Sequence, residues 1–228
     1  MKFVDVGQPF GFGTSRIFNP WADVEFLDYD TVGAIRQNAD IIDLIIFGGG
    51  SDIHPSIYGQ ANIASHASDF PSFRDLFEIE VWKIAQRMKI PVLGICRGSQ
   101  MVCALSGGHL IQDVMGHGYE TAPGGHFIHT DDGRKLDMST AHHQMMYPWT
   151  TKHRLIAWCK THENQRYHLD TKALDFKRPD VDPEVVYFPE TKALAVQGHP
   201  EYFRDVECDS VAAVRQWVNQ YLLAEQPN

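Results

Sequence analysis

The order of apolar and polar positions along the chain predicts alternating strands and helices. Near-continuous apolar runs at residues 41–47 and 90–95 are typical of strands that are covered on both faces of a sheet. Between them, residues 73–88 place an apolar stripe beside charged positions at helical spacing. A strand, a helix and a second strand in this order form a crossover, and such crossovers join parallel strands. The pattern therefore predicts an α/β chain built on a parallel sheet.

The rest of the chain carries further elements and no obvious boundary. Shorter apolar runs predict strands, and periodic stretches predict helices, at residues 3–6, 24–27, 31–39, 154–159, 184–188, 193–197 and 206–223. Residues 115–135 are rich in glycine and histidine and predict loop with short hairpins. We expect the aromatic cluster of Phe70, Phe73 and Phe77 to lie in the core. Because no linker or repeat interrupts the pattern, we predict one domain over residues 1–228.

Composition excludes several classes of protein. The 228 residues are 43% hydrophobic, which is enough for a packed core, and their net charge of −9 argues against nucleic-acid binding. No apolar run reaches the length of a membrane span and no signal peptide is recognisable, so we expect no membrane association and a cytoplasmic location. The four cysteines, Cys96, Cys103, Cys159 and Cys208, show no paired metal spacing and are expected to be reduced.

The segment at Cys96 predicts a reactive thiol. The apolar strand ends in Gly94-Ile95-Cys96-Arg97-Gly98, and apolar positions then recur at helical spacing. Glycines on both sides of a nucleophile at a sharp strand-to-helix turn form the nucleophile-elbow pattern. A helix N-terminus also favours the thiolate, because its unpaired N–H groups and its dipole stabilise negative charge. The alternative is a small buried hydrophobic residue, which most free cysteines are.

A glycine run follows the other central strand. Gly48, Gly49 and Gly50 come directly after residues 41–47, at the strand end where open parallel sheets place their ligands. Glycine there allows the backbone to approach another group closely. We predict that the N–H of Arg97 and an N–H of Gly49 or Gly50 form an oxyanion hole; the alternative is a flexible turn.

The base that such a thiol requires is predicted at the end of the last strand. His199-Pro200-Glu201 follows residues 193–197. Residues two apart in an extended chain face the same side, and proline keeps the segment extended. Glu201 can then orient one nitrogen of His199 and leave the other for Cys96, as in a Ser-His-Asp triad. The alternative is an ordinary surface histidine at a strand end.

Five motifs in order, GGSDIHPSIYG, GICRGSQ, GGHLIQDV, STAHHQ and VQGHPEY, resemble those of the class I glutamine amidotransferase-like hydrolases. The resemblance is closest to the γ-glutamyl hydrolase branch (peptidase C26-like), which includes γ-glutamyl-γ-aminobutyrate hydrolase, and it runs from about Ile41 to Tyr202. It implies a three-layer, flavodoxin-like, mostly parallel sheet with helices on both faces. The sequence differs from that branch at Thr140, where serine is usual, and at Gly198, where an aromatic residue is common. We expect Gly198 to leave the pocket wall more open.

The resemblance also implies a reaction and a set of site residues. Cys96, His199 and Glu201 match its triad, and the chemistry would be cleavage of a γ-glutamyl amide through a glutamyl thioester. Four residues match positions near the substrate: Gln100, His142, His143 and Gln144. No cofactor and no metal are implied, and the expected partner is a small γ-glutamyl substrate.

Three other interpretations remain. The chain could be a glutaminase subunit that delivers ammonia to a separate ATP-dependent synthetase, since it carries no ATP-binding loop of its own. It could bind a metal through His126 and His129 or through His142 and His143, although adjacent strand histidines point to opposite faces. It could be an inactive scaffold, against which the intact Cys-His-Glu set argues.

Overall fold

The structure, a computed structural model, describes residues 1–6, 13–19, 22–27, 32–118, 125–160 and 166–224. Part of the predicted hairpin region, residues 119–124, and the first residue of the helix predicted at 31–39 lie outside these ranges. The described residues form 13 strands: β1 (Lys2–Val6), β2 (Asp23–Leu27), β3 (Leu44–Phe47), β4 (Val92–Ile95), β5 (His109–Ile111), β6 (Asp113–Val114), β7 (His126–Thr130), β8 (Lys135–Met138), β9 (Met145–Tyr147), β10 (Arg154–Lys160), β11 (Tyr167–His168), β12 (Val181–Phe188) and β13 (Ala193–Val196).

Nine of these strands form one sheet in the order β2-β1-β3-β4-β13-β12-β10-β7-β8. The first five strands are parallel to one another, and the pairs from β13 to β8 are antiparallel. The remaining strands form two small antiparallel pairs, β5 with β9 and β6 with β11. The strands β3, β4 and β13 lie side by side, so the segments that follow them meet at one edge of the sheet.

In the described ranges, five α-helices cover the two faces of this sheet: α1 (Ser15–Phe18), α2 (Val32–Gln37), α3 (Phe73–Met88), α4 (Arg97–Leu105) and α5 (Asp209–Trp217). Alternate strand residues enter two separate cores, because successive side chains of a strand point to opposite faces. Ile45 packs in the core with α2, α3 and α4, whereas Leu44 and Ile46 pack in the core with α1 and α5. The predicted three-layer α/β class is confirmed.

Several boundaries differ from the sequence prediction. The strand expected from residue 41 begins at Leu44, because Ala39–Ile41 form a short 3₁₀ turn. The C-terminal helix begins at Asp209, and its last turns, Val218–Leu223, are π-helical. No helix in the described part of the chain combines the length and apolar character that crossing a membrane requires.

The expected aromatic core cluster was wrong in two of its three members. Phe77 is buried, but Phe70 is 78% exposed and Phe73 is 66% exposed. The inward side of the first turn of α3 is occupied instead by two buried charged side chains, Arg74 and Asp75. Charge pairing, not aromatic packing, therefore anchors this end of the helix.

Candidate active site

The turn at Cys96 joins β4 to α4 with no intervening loop. Cys96 has φ 52° and ψ −111°, a strained combination for a residue with a side chain, and it is 5% exposed. A Cβ on Gly94 would lie 2.3 Å from the carbonyl oxygen of Gly98, and one on Gly98 would lie 1.9 Å from that of Phe47. Both glycines are therefore required, because the start of α4 packs directly against the backbones of β3 and β4.

The glycine loop after β3 lies against the same turn. A Cβ on Gly49 would come within 2.8 Å of His199 Cε1 and 3.7 Å of Cys96 Cβ. Gly50 has φ 151°, and a Cβ there would lie 2.4 Å from Arg74 Nη1. The predicted close approach of the loop to another group is thus explained by the imidazole and the guanidinium that pack on it.

The segment after β13 brings His199 and Glu201 together. His199 Nδ1 lies 2.7 Å from Glu201 Oε1, and each residue is only 4% exposed. The ring of Tyr202 stacks on the imidazole with centroids 4.2 Å apart and planes 2° from parallel. The hydroxyl of Ser139 donates to the carbonyl of His199 at 2.6 Å, which fixes the backbone that carries the ring.

The electrostatics of this cluster favour a protonated imidazole. Burial lowers the pKa of His199, but the neighbouring Cys96 and the Glu201 carboxylate outweigh it and raise this pKa well above its ordinary value. Since Nδ1 faces Glu201, Nε2 is the nitrogen left for the sulfur. Cys103 is different, because burial raises the pKa of its thiol to about 12 and no cationic group opposes that effect.

These residues line one side of a cavity of about 390 Å³. Its lining residues are Gly49, Gly50, Ser51, Cys96, Ala141, His199, Glu201 and Tyr202. The cavity is large enough for a small amino-acid derivative. It lies beyond the carboxyl ends of β3, β4 and β13, where the sequence predicted a ligand site.

A buried ionic network supports the glycine loop from behind. Arg97 is 1% exposed and pairs with Asp75 at 2.5 Å and with Glu78. Arg74 pairs with Glu78 at 2.7 Å and donates to the carbonyls of Gly48 at 2.9 Å and Gly49 at 2.8 Å. The sequence pattern did not predict this network. Its only signal is a set of charged residues, at positions 74, 75 and 78, on the turns of a helix that begins beside an apolar strand.

The four residues that the family resemblance matched to substrate positions make contacts outside the lining of this cavity. Gln100 donates to the carbonyl of Gln144 at 3.1 Å, and the Nδ1 atom of His142 lies 2.7 Å from the same carbonyl. His143 lies 2.9 Å from a carboxylate oxygen of Asp52. None of these four side chains is among the residues that line the described cavity.

The predicted consequence of Gly198 was wrong. A Cβ at this position would lie 2.3 Å from Met138 Cγ and 2.7 Å from the carbonyl oxygen of Ser139. The space that an aromatic side chain would need is therefore filled by β8 and the segment after it, and the cavity wall is not opened.

The histidine pairs suggested for metal binding are not brought together as pairs. Potential ligand atoms in the described residues gather in two other sets: His126 with His117, Cys159 and Glu184, and His143 with Asp52 and His66. His142 packs its ring 4.7 Å from that of His117.

The fold and this arrangement define the chain as a class I glutamine amidotransferase-like α/β protein. The profile of the peptidase C26 family matches residues 28–201. The chain therefore belongs to the peptidase C26 family, as its motifs predicted.

Curated relatives share part of the chain. The glutamine amidotransferase-like protein YvdE of Lactococcus lactis is 33% identical over 113 residues, which are 50% of this chain and 43% of that protein. A Mycobacterium tuberculosis protein provisionally named a glutamine amidotransferase is 34% identical over 134 residues, 52% of this chain and 42% of its own length. The γ-glutamyl-CDP-amidate hydrolase of Campylobacter jejuni is 39% identical over 70 residues, 31% of this chain and 30% of that enzyme. This chain thus spans less than half the length of these relatives.

Solved structures share the fold over nearly the whole chain. A glutamine amidotransferase from Thermotoga maritima superimposes with a TM-score of 0.59 and 13% identity, covering 96% of this chain and 84% of that one. The glutaminase domain of the Trypanosoma brucei CTP synthase, solved with acivicin, gives a TM-score of 0.54 and 13% identity, covering 100% of this chain and 97% of that one. At this identity the likeness concerns the fold alone.

Proposed function

We propose that this chain hydrolyses the γ-glutamyl amide bond of glutamine or of a γ-glutamyl-amine, with Cys96 as nucleophile. The observation that carries the proposal is the buried pair of His199 and Glu201, 2.7 Å apart, beside a strained cysteine at the head of α4. A thiol, an oriented imidazole and a cavity that exposes both are the elements of nucleophilic amide hydrolysis.

In the acylation step, the thiolate of Cys96 attacks the γ-carbonyl carbon and forms a carbon–sulfur bond. The carbonyl oxygen becomes an oxyanion, which accepts hydrogen bonds from the N–H of Arg97 and from an N–H of Gly49 or Gly50. Protonated His199 gives its proton to the amine nitrogen, the carbon–nitrogen bond breaks and ammonia or an amine leaves. The product on the enzyme is a glutamyl thioester.

In the deacylation step, neutral His199 takes a proton from a water molecule as the water oxygen attacks the thioester carbon. The carbon–sulfur bond then breaks, glutamate leaves, and the thiolate and imidazolium are restored. Glu201 holds the imidazole in one tautomer and stabilises its charged form throughout.

Three observations support the γ-glutamyl class of substrate. The family to which the chain belongs is peptidase C26, and the related C. jejuni protein is named as a hydrolase of a γ-glutamyl amidate. The cavity also has a size suited to a glutamyl group, at about 390 Å³. We further propose that Gln100, His142, His143 and Gln144 act on the substrate indirectly, by shaping the segment that carries Ala141.

The proposal is tested with purified protein and a panel containing glutamine and several γ-glutamyl-amines. We expect glutamate release from at least one member, its loss in Cys96→Ala, and full retention in Cys208→Ser, which changes a thiol outside the site. A Cys96→Ala protein that turned over substrate at the wild-type rate would refute the assignment.

Thiol labelling gives an independent test. An iodoacetamide reagent or a diazo-ketone glutamine analogue should modify Cys96 before the other three cysteines, because Cys96 lines the cavity beside His199 and the other three do not line it. Equal labelling of all four cysteines would contradict an activated thiol.

A partnered glutaminase is the second candidate, since a glutaminase domain of a CTP synthase shares the fold. In that case glutamine hydrolysis should be weak in the isolated chain and rise when a co-purifying synthetase is added. Activity on γ-glutamyl-amines without a partner would decide for the first candidate.

Three other expectations stay predictions: one domain over residues 1–228, a cytoplasmic location, and the lack of a nucleic-acid or membrane partner.

A further inference from the structure

A second group of reactive side chains lies outside the cavity, next to the antiparallel half of the sheet. His117, His126, Cys159 and Glu184 each offer one ligand atom, and these atoms all lie within 4.8 Å of one another. Three of the residues come from the neighbouring strands β7, β10 and β12. Three members are buried, since His117 is 2% exposed, Glu184 1% and Cys159 8%, and the side chain of His126 is 17% exposed.

The separations are near those of a tetrahedral metal centre. Glu184 Oε1 lies 2.9 Å from His126 Nε2, 3.5 Å from His117 Nδ1 and 3.8 Å from Cys159 Sγ. Four ligands with zinc bonds of about 2.0–2.3 Å would lie roughly 3.3–3.8 Å apart along the edges of the tetrahedron. Small side-chain adjustments would bring these four residues into that arrangement.

The alternative, a hydrogen-bonded network without a metal, leaves buried atoms unsatisfied. Within the described residues, His117 Nδ1 and Glu184 Oε2 are buried and take part in no hydrogen bond, and buried His126 Nε2 has only its ion pair with Glu184 Oε1. A buried polar atom without a hydrogen-bond partner lowers the stability of the folded state, so each one requires an explanation. A cation that accepts electron pairs from the two nitrogens and the carboxylate would satisfy all three.

The surroundings also orient one ligand for a metal. His117 Nε2 lies 3.0 Å from Asp182 Oδ2, and the hydroxyl of Tyr167 donates to Asp182 Oδ1 at 2.7 Å. A histidine that donates one N–H to a carboxylate presents the lone pair of its other nitrogen, and metal-binding histidines are typically held in this way. The lone pair of His117 Nδ1 would then face Glu184.

We propose that His117, His126, Cys159 and Glu184 form a structural zinc site. One thiolate, two imidazoles and one carboxylate suit zinc better than magnesium or calcium, and four protein ligands, most of them buried, are typical of a structural centre. Sequence spacing gave no sign of it, since the ligands stand at positions 117, 126, 159 and 184.

The site would support the wall of the cavity. The carbonyl of His117 accepts hydrogen bonds from the Thr140 hydroxyl at 2.6 Å and from the backbone N–H of His142 at 3.2 Å. Ala141, which lies between Thr140 and His142 in the sequence, lines the cavity. Ser139, one residue before Thr140, donates its hydroxyl to the backbone carbonyl of His199. A metal that fixes His117 would therefore fix the segment that borders the candidate nucleophile and base.

The test is a zinc titration of the full chain carrying Cys96→Ala, so that the thiol in the cavity cannot bind the metal. After treatment with a chelator and desalting, we expect uptake of about one zinc ion per chain by elemental analysis and a rise in melting temperature. Cobalt used in place of zinc should show a sulfur-to-cobalt charge-transfer band. Added in the same background, Cys159→Ser should lose that band and most of the bound metal.

Matched variants exclude other sources of binding. Glu184→Gln and His126→Asn should also lose the metal, whereas His129→Ala on the same strand and Cys208→Ser should keep it. Circular dichroism checks that each variant is folded. Less than about a tenth of an equivalent of zinc in the Cys96→Ala protein would overturn the proposal, and so would full retention of zinc in folded Cys159→Ser and Glu184→Gln proteins.

Discussion

Arg74 should be essential for turnover although it does not line the cavity. Its guanidinium donates to the carbonyls of Gly48 and Gly49, at 2.9 and 2.8 Å. In a trans peptide the carbonyl and the following N–H point in opposite directions. Because the Gly49 carbonyl points towards Arg74, the N–H of Gly50 points away from Arg74. In the same way, the hydrogen bond to the Gly48 carbonyl makes the N–H of Gly49 point away from Arg74.

Replacing Arg74 by methionine removes both hydrogen bonds while keeping much of the side-chain volume. If the loop then loses one oxyanion donor, kcat should fall about 100- to 1,000-fold, or roughly 3–4 kcal/mol of transition-state stabilisation. Since the oxyanion exists only in the transition state, kcat and kcat/KM should fall together while KM changes little. The loss of stability should be moderate, because Glu78 keeps its ion pair with Arg97.

The assay is steady-state glutamate release by Arg74→Met, Arg74→Lys and the control Arg87→Met. Arg87 is an exposed residue of the same helix, so this variant loses the same charge without touching the loop. Arg74→Lys should lie between the wild type and Arg74→Met, since an ammonium group cannot reproduce the planar donor pair. A folded Arg74→Met protein with kcat within about threefold of wild type would refute the positioning argument.

Two further predictions concern stability and are checked by thermal and denaturant unfolding. Gly98→Ala should destabilise the fold severely, because the added Cβ would lie 1.9 Å from the carbonyl oxygen of Phe47. Gly33→Ala on α2 should instead raise the free energy of unfolding by about 0.5–1 kcal/mol, because no atom lies within 4 Å of the added Cβ. Equal effects of the two substitutions would contradict the close packing at Gly98. Burial raises the pKa of Asp5 from 3.8 to about 6, against the opposing hydrogen bond from Thr14. The folded chain therefore holds this proton more tightly, and ionisation costs stability progressively from about pH 4 to pH 6. Asp5→Asn should accordingly gain roughly 2–3 kcal/mol at pH 7 and little at pH 4, and a gain independent of pH would contradict the assignment.

The central part of the fold was predictable because it depends on local patterns. The apolar runs that became β3, β4 and β13 and the periodic stretch that became α3 define the crossover and its parallel strands. Glycine, cysteine and histidine at the ends of those strands then mark where the site lies. For the same reason the position of Cys96 at the start of α4 follows from sequence.

What could not be predicted depends on contacts between distant residues. The pairing of Arg97 with Asp75 and Glu78 joins two helices, and no periodicity reports it. The same holds for Met138, which fills the space beside Gly198. Phe70 and Phe73 were misplaced because hydrophobicity alone does not reveal that ion pairs occupy the inward side of a helix turn.

The most direct test of the central claim is mass spectrometry of an acid-quenched reaction. Protein mixed with a γ-glutamyl-amine and quenched before the steady state should carry one glutamyl group on the peptide that contains Cys96. The adduct should be absent from Cys96→Ala and should disappear on treatment with hydroxylamine, as a thioester does. Turnover without an adduct on this peptide, or an adduct that persists in Cys96→Ala, would contradict acyl transfer through Cys96.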